Sequence, residues 1–189
     1  MRHFPLLTLT GCVLAVLLMC LPENVHPYLY FDYAGVLSGQ YWRLLSGHWL
    51  HIDSGHLWLN ITAFAVLGTL IETHNRTLLL IALLAGMLAV NLLLLSPCAD
   101  IARYCGLSGL LNTLFVVVLG LRWRVQPSAL LVLAGLGSFA KIFLELYDGS
   151  ILSDGAGWPA WPSAHLAGAL AALLLLALCR HHPKLRKLF

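Results

Sequence analysis

The chain has 189 residues, of which 60% are hydrophobic and only 10% are charged, and its mean hydropathy is +0.84. A soluble domain keeps about a quarter of its residues charged, so this composition excludes a water-soluble globule, a disordered chain and a disulfide scaffold, and makes lipid the main solvent. The net charge is only +3, with no basic run interleaved with aromatics and no glycine-rich phosphate loop, which leaves nucleic acid without a binding surface.

Apolar windows predict six spanning helices, over about residues 4–21, 55–72, 77–96, 106–122, 126–147 and 163–180. A helix of roughly 20 residues crosses the hydrocarbon and satisfies its own backbone polar groups there. The expected fold is an all-α membrane protein, one six-transmembrane-helix bundle over residues 1–189. The first window, preceded by Arg2, also has the outline of a signal peptide. No small-x-small cleavage site follows Cys20, so a retained helix is predicted.

With the N-terminus inside, Arg2, Arg76, Arg122, Arg124, Arg180, Lys184, Arg186 and Lys187 all face the cytoplasm, while Arg43 and Arg103 stay outside. That asymmetry sets both termini cytoplasmic. The outer connections are then 22–55, 96–103 and 148–162, and the inner turns are 72–77 and 122–124. The basic stretch 180–187 reads as an anchor on anionic lipid.

On this frame the second, fourth and sixth helices run inward, so their first turns share one depth beneath the outer face. These turns contain His56 and Asn60, then Gly106-Leu107-Ser108-Gly109, then Ala164-His165. A lone helical serine most often bonds back to its own helix. Here Gly106 and Gly109 clear the space around Ser108, and the N–H groups of a helix start have no intrahelical partner. The chemistry this permits is acyl transfer. Ser108 attacks a peptide carbonyl while His165 takes its proton and later hands it to the leaving amine. His56, the Asn60 amide and the Ser108 N–H are the candidate donors to the developing oxyanion, each worth about 2.7–4 kcal/mol of barrier. No acidic residue is evidently placed to orient His165, so a dyad is expected.

Four stretches, in order along the chain, go with this chemistry: Tyr41-Trp42-Arg43, the run from His51 to Asn60, Gly106-Leu107-Ser108-Gly109, and Ala164-His165-Leu166-Ala167-Gly168. Together they resemble the rhomboid intramembrane serine proteases. The resemblance implies Ser108 as nucleophile, His165 as base, and His56 with Asn60 in the oxyanion hole. It makes His51 structural and gives Trp42-Arg43 the role of bracing the first outer loop, with a plain aromatic and basic interface anchor as the other reading. Four residues after the nucleophile, where the family commonly has a bulky ring or a histidine, this chain has Asn112.

Within the family, the short chain, residues 141–145 and residues 164–169 look like the rhombosortase branch. That branch implies a single-pass membrane protein substrate with a C-terminal GlyGly-CTERM sorting tail, in the lipid bilayer of a bacterial inner membrane, with the active site facing the periplasm. A rhomboid protease with other substrates, or a proteolytically inactive relative that binds or escorts clients, stands as the alternative. No cofactor or metal is expected, because His48, His51 and His56 have no familiar ligand spacing.

Ala164, Gly168 and Ala172 form a small-residue ridge that lets helix six approach helix four closely, although alanine is also simply common in apolar helices. Lys141 and Glu145, one turn apart, are predicted to pair within their helix. Of five cysteines, Cys98 and Cys105 bracket the short outer loop. They are either a disulfide formed in an oxidising periplasm or small apolar packing residues. Cys12, Cys20 and Cys179 are read as packing residues.

Overall fold

The computed structural model of the protein describes residues 4–99, 101–148, 161–182 and 185–189. Arg2, Lys184 and most of the third outer connection lie outside the described residues. The elements in order are α1 (Leu6–Met19), β1 (Phe31–Asp32), α2 (Tyr33–Leu37), α3 (Arg43–Ser46), α4 (Ser54–His74), α5 (Arg76–Leu94), β2 (Arg103–Tyr104), α6 (Ser108–Val125), α7 (Ala129–Asp148) and α8 (Pro162–His181). Single 3-10 turns lie at His26–Tyr28 and Leu185–Leu188.

Five helices, α4 to α8, are long and apolar enough to cross a membrane. The first is apolar but shorter than the predicted 4–21, at 14 residues. Pro5 stands at its N-cap, and Pro22 disfavours helical backbone at Leu21. One face of α5 is apolar and outward, where Leu84, Leu88 and Leu92 are each at least 60% exposed at the four-residue spacing of one helix face. Facing inward, Phe64, Ile71, Leu78, Leu79, Leu107, Leu110 and Leu114 lose all contact with solvent and form the central core.

The start of α1 is held by a carboxylate from another helix. Buried Glu72, near the end of α4, accepts from the backbone N–H groups of Leu7 and Thr8 at 2.9 and 2.8 Å and from the Thr8 hydroxyl at 2.9 Å. These N–H groups belong to the first turn, where a helix has orphan donors and a positive dipole end. Arg76 pairs with the same carboxylate at 3.1 Å.

The connection between α1 and α4 is built, not loose. Buried Arg43 donates to Gln40 Oε1 at 2.7 Å and to the carbonyls of Pro27 and Tyr30, both at 2.8 Å. Trp42 Nε1 donates to the Tyr28 carbonyl at 2.9 Å. Arg43 is thus the internal brace of this loop, and only exposed Trp42 keeps the interface position. The antiparallel pair of β1 with β2, Phe31 opposite Tyr104, ties the loop to the segment preceding α6.

Helices α6 and α8 cross at small residues. A Cβ at Gly168 would collide with the carbonyl of Gly109, and one at Gly109 would lie 3.1 Å from the Ala164 carbonyl oxygen. The Thr113 hydroxyl donates to the Gly168 carbonyl across the contact at 2.9 Å. Ala164, Gly168 and Ala172 are all buried here, as the ridge in the sequence predicts.

Candidate active site

Each candidate residue sits where its helix begins. Asp53 caps α4, accepting from the His56 N–H at 2.8 Å, so His56 occupies the first turn and Asn60 the next. Ser108 is the first residue of α6, with Leu107 at the N-cap and no side-chain cap bond. Gly106 has φ +122, a left-handed backbone that a side chain rarely adopts. Its N–H donates to the Gly47 carbonyl at 2.9 Å, which fixes the approach to Ser108. Pro162 opens α8, and His165 follows in its first turn.

These starts meet at one end of the bundle. Gly109, next to Ser108, packs against the carbonyl of Ala164, next to His165. The His56 ring lies over Gly106, its Cε1 3.0 Å from where a Cβ would stand. His56 is also within electrostatic reach of His165. Asn60 is 4% exposed, and its Nδ2 has no partner among the described residues. An unpaired buried donor is costly.

His51 is buried and stacks edge-on against His56, with centroids 5.1 Å apart. Burial, with His56 adding to it, pushes its imidazole down to about 3, so it stays neutral. His48 is buried against Tyr104, centroids 5.7 Å apart, and its Nε2 lies 3.1 Å from Asn91 Oδ1. Burial holds it down to about 4. Both rings are therefore buried and neutral. Among the described residues no group of three His, Cys, Asp or Glu side chains is placed to hold a metal ion.

Ser108 and His165 form no direct hydrogen bond here. The Ser108 hydroxyl interacts with that of Tyr104, which donates to the Gly106 carbonyl at 3.0 Å. Burial, reinforced by Cys105, raises the Tyr104 phenol above its usual value, and the bonds with Ser108 and Gly109 only partly offset this. Asn112 turns back along its own helix to the Ser108 carbonyl at 2.9 Å, so its amide supports the first turn of α6. Cys98 is exposed, Cys105 is half-buried, and both are free thiols.

A family model for the Rhomboid domain matches residues 38–182. The chain belongs to the rhomboid family. Comparison with curated proteins gives no match. Rhomboids are in general intramembrane serine proteases, and this rhomboid is an integral membrane protein whose fold goes with a lipid bilayer and membrane-protein substrates. Two features of this rhomboid's site escaped the sequence reading. Tyr104 neighbours Ser108, and Glu145, expected to pair with Lys141 within its helix, also places its second oxygen 3.1 Å from His165 Nδ1. A signal for the second existed: Glu145 closes α7 at the same end of the bundle where His165 opens α8.

Proposed function

We propose that this rhomboid hydrolyses a peptide bond in or near the transmembrane segment of single-pass membrane proteins, with Ser108 as nucleophile and His165 as general base. The observation that supports this most is the seating of Gly109 on the Ala164 carbonyl, which sets Ser108 and His165 one residue each from the same helix contact. In the reaction the Ser108 hydroxyl turns from Tyr104 to the imidazole, a bond of the kind that often tightens only with substrate in place. The serine proton moves to His165 and then to the leaving amine. The carbonyl oxygen, as it gains charge, takes hydrogen bonds from the Asn60 amide, unpartnered among the described residues, from His56 and from the Ser108 N–H at the helix start. Water then releases the acyl group. No cofactor or metal takes part.

The chain crosses the membrane six times, α1 included, with both termini cytoplasmic and the site opening to the periplasm of a bacterial inner membrane; the distribution of Arg and Lys supports that orientation. The substrate is a single-pass protein with a C-terminal GlyGly-CTERM tail, as in rhombosortases, a reading supported by residues 141–145 and 164–169. The test is co-expression of tail-bearing precursors with the wild type and with Ser108→Ala. Cleavage by the wild type alone supports the assignment, and cleavage by the mutant refutes it. Equal cutting of a single-pass protein without the tail would remove the rhombosortase branch and leave the protease.

A further inference from the structure

We propose that Glu145 is a positioning residue for His165, holding the imidazole so that its Nε2 lone pair is available to Ser108. The proposal rests on the reading of Ser108 and His165 as nucleophile and base, and it adds a third member to what the sequence presents as a dyad.

The carboxylate is shared between two partners. Glu145 is 2% exposed; Oε1 accepts from Lys141 Nζ one turn earlier on α7, and Oε2 lies 3.1 Å from His165 Nδ1 on α8. An ionised carboxylate has no proton to donate, so the imidazole must present its N–H at Nδ1. Nε2 is then the acceptor, which is the form a general base needs. A buried carboxylate is tolerated only when paired, and Lys141, whose side chain is 48% exposed, supplies the balancing charge. When the Ser108 Oγ–H bond breaks and its proton moves to Nε2, the positive ring faces a carboxylate already in place. The proton then passes on to the leaving amine.

A purely mechanical role competes with this one. Ile142 and Glu145 are the buried residues among those described on α7, so the bond to His165 also fastens α7 to α8. Two substitutions separate the roles. Glu145→Gln keeps a hydrogen-bonding side chain of the same length, but its amide can donate to Nδ1 and so favour the proton on Nε2. Glu145→Asp keeps the charge on a shorter arm.

The full-length protein in proteoliposomes is assayed on a cleavable precursor, with Ser108→Ala as the reference. For Glu145→Gln we expect kcat to fall by about 10^2- to 10^4-fold with KM and the thermal midpoint near wild type, and Glu145→Asp to recover at least tenfold of the loss. Solid-state 15N spectra of histidine-labelled wild type, assigned by difference from His165→Asn, should show His165 protonated at Nδ1. A Glu145→Gln enzyme with kcat within threefold of wild type overturns the proposal, as does a wild-type spectrum with the proton on Nε2. The spectrum decides even where the substitution harms folding. Cleavage surviving in Ser108→Ala would instead overturn the protease reading itself, so the two failures are told apart.

Discussion

Replacing Gly168 by alanine tests whether the contact of α6 with α8 sets the site. The new Cβ would stand 2.9 Å from the carbonyl carbon of Gly109 and 3.0 Å from the Thr113 hydroxyl oxygen, with the Gly109 carbonyl oxygen closer still. Ordinary contact begins near 3.4 Å, and the obstacle is backbone, which cannot swing aside as a side chain would. The helices must therefore part by about 1 Å, a displacement that can cost about 10^2-fold in rate when it falls between reacting groups. Overpacking of this kind also costs about 1–3 kcal/mol of stability. Gly137→Ala on α7 is the control, because a Cβ there meets nothing within 4 Å and gains helix propensity of about 0.8–1 kcal/mol. Precursor cleavage and thermal unfolding followed by tryptophan fluorescence measure both effects. A Gly168→Ala protein as active and as stable as Gly137→Ala would refute the argument that this crossing positions Ser108 against His165.

Glu72→Ala should lower stability by about 1–3 kcal/mol, since it leaves the two N–H groups at the start of α1 without their acceptor; a thermal loss equivalent to less than about 0.5 kcal/mol would count against that anchor. Maleimide at pH 8 should label Cys98 and leave Cys105, whose thiol burial pushes up to about 12, and equal labelling by mass spectrometry would contradict the burial. His48 is held neutral at about 4 against an ordinary 6.5, so its contribution to stability is complete above pH 6.5. It is lost as pH falls from there towards 4, because only the unfolded chain then takes up the proton. The full swing amounts to about 3 kcal/mol, and His48→Gln should flatten the fall of the thermal midpoint between pH 7 and 4.5; an unchanged slope would exclude this histidine as the cause.

The spanning helices are legible in the sequence because lipid demands long uncharged runs, and the run lengths alone place α4 to α8 within a few residues. The shorter α1 is the exception, where Pro5 and Pro22 trim an apolar stretch that composition alone would continue. The meeting of His56, Ser108 and His165 at one end is legible too, since successive helices reverse direction and alternate ones begin on the same side. What escapes is whatever depends on sideways neighbours. Glu145 and Lys141 are visible as a pair because one helix turn joins them, but the bond from Glu145 to His165 joins two helices and has no spacing to betray it. The short helices of the first outer loop are hidden for a similar reason. They are held by Arg43 gathering distant carbonyls, not by the propensity of five-residue and four-residue segments. Asn112 stands where the family commonly has a bulky ring or a histidine, and its amide bonds back to its own helix.

The segment leading to Ser108 hangs from the first outer loop at two points: the Phe31 to Tyr104 ladder and the bond from Gly106 N–H to the Gly47 carbonyl. That same loop presents Tyr28, Tyr41 and Trp42 outward, each more than half exposed, at the level where aromatic rings settle among lipid headgroups. Headgroup packing on those rings would therefore press on the plate from which Ser108 is suspended. Bilayers of different thickness or surface tension would tune the rate by tilting that plate, with no change in any residue that touches the scissile bond.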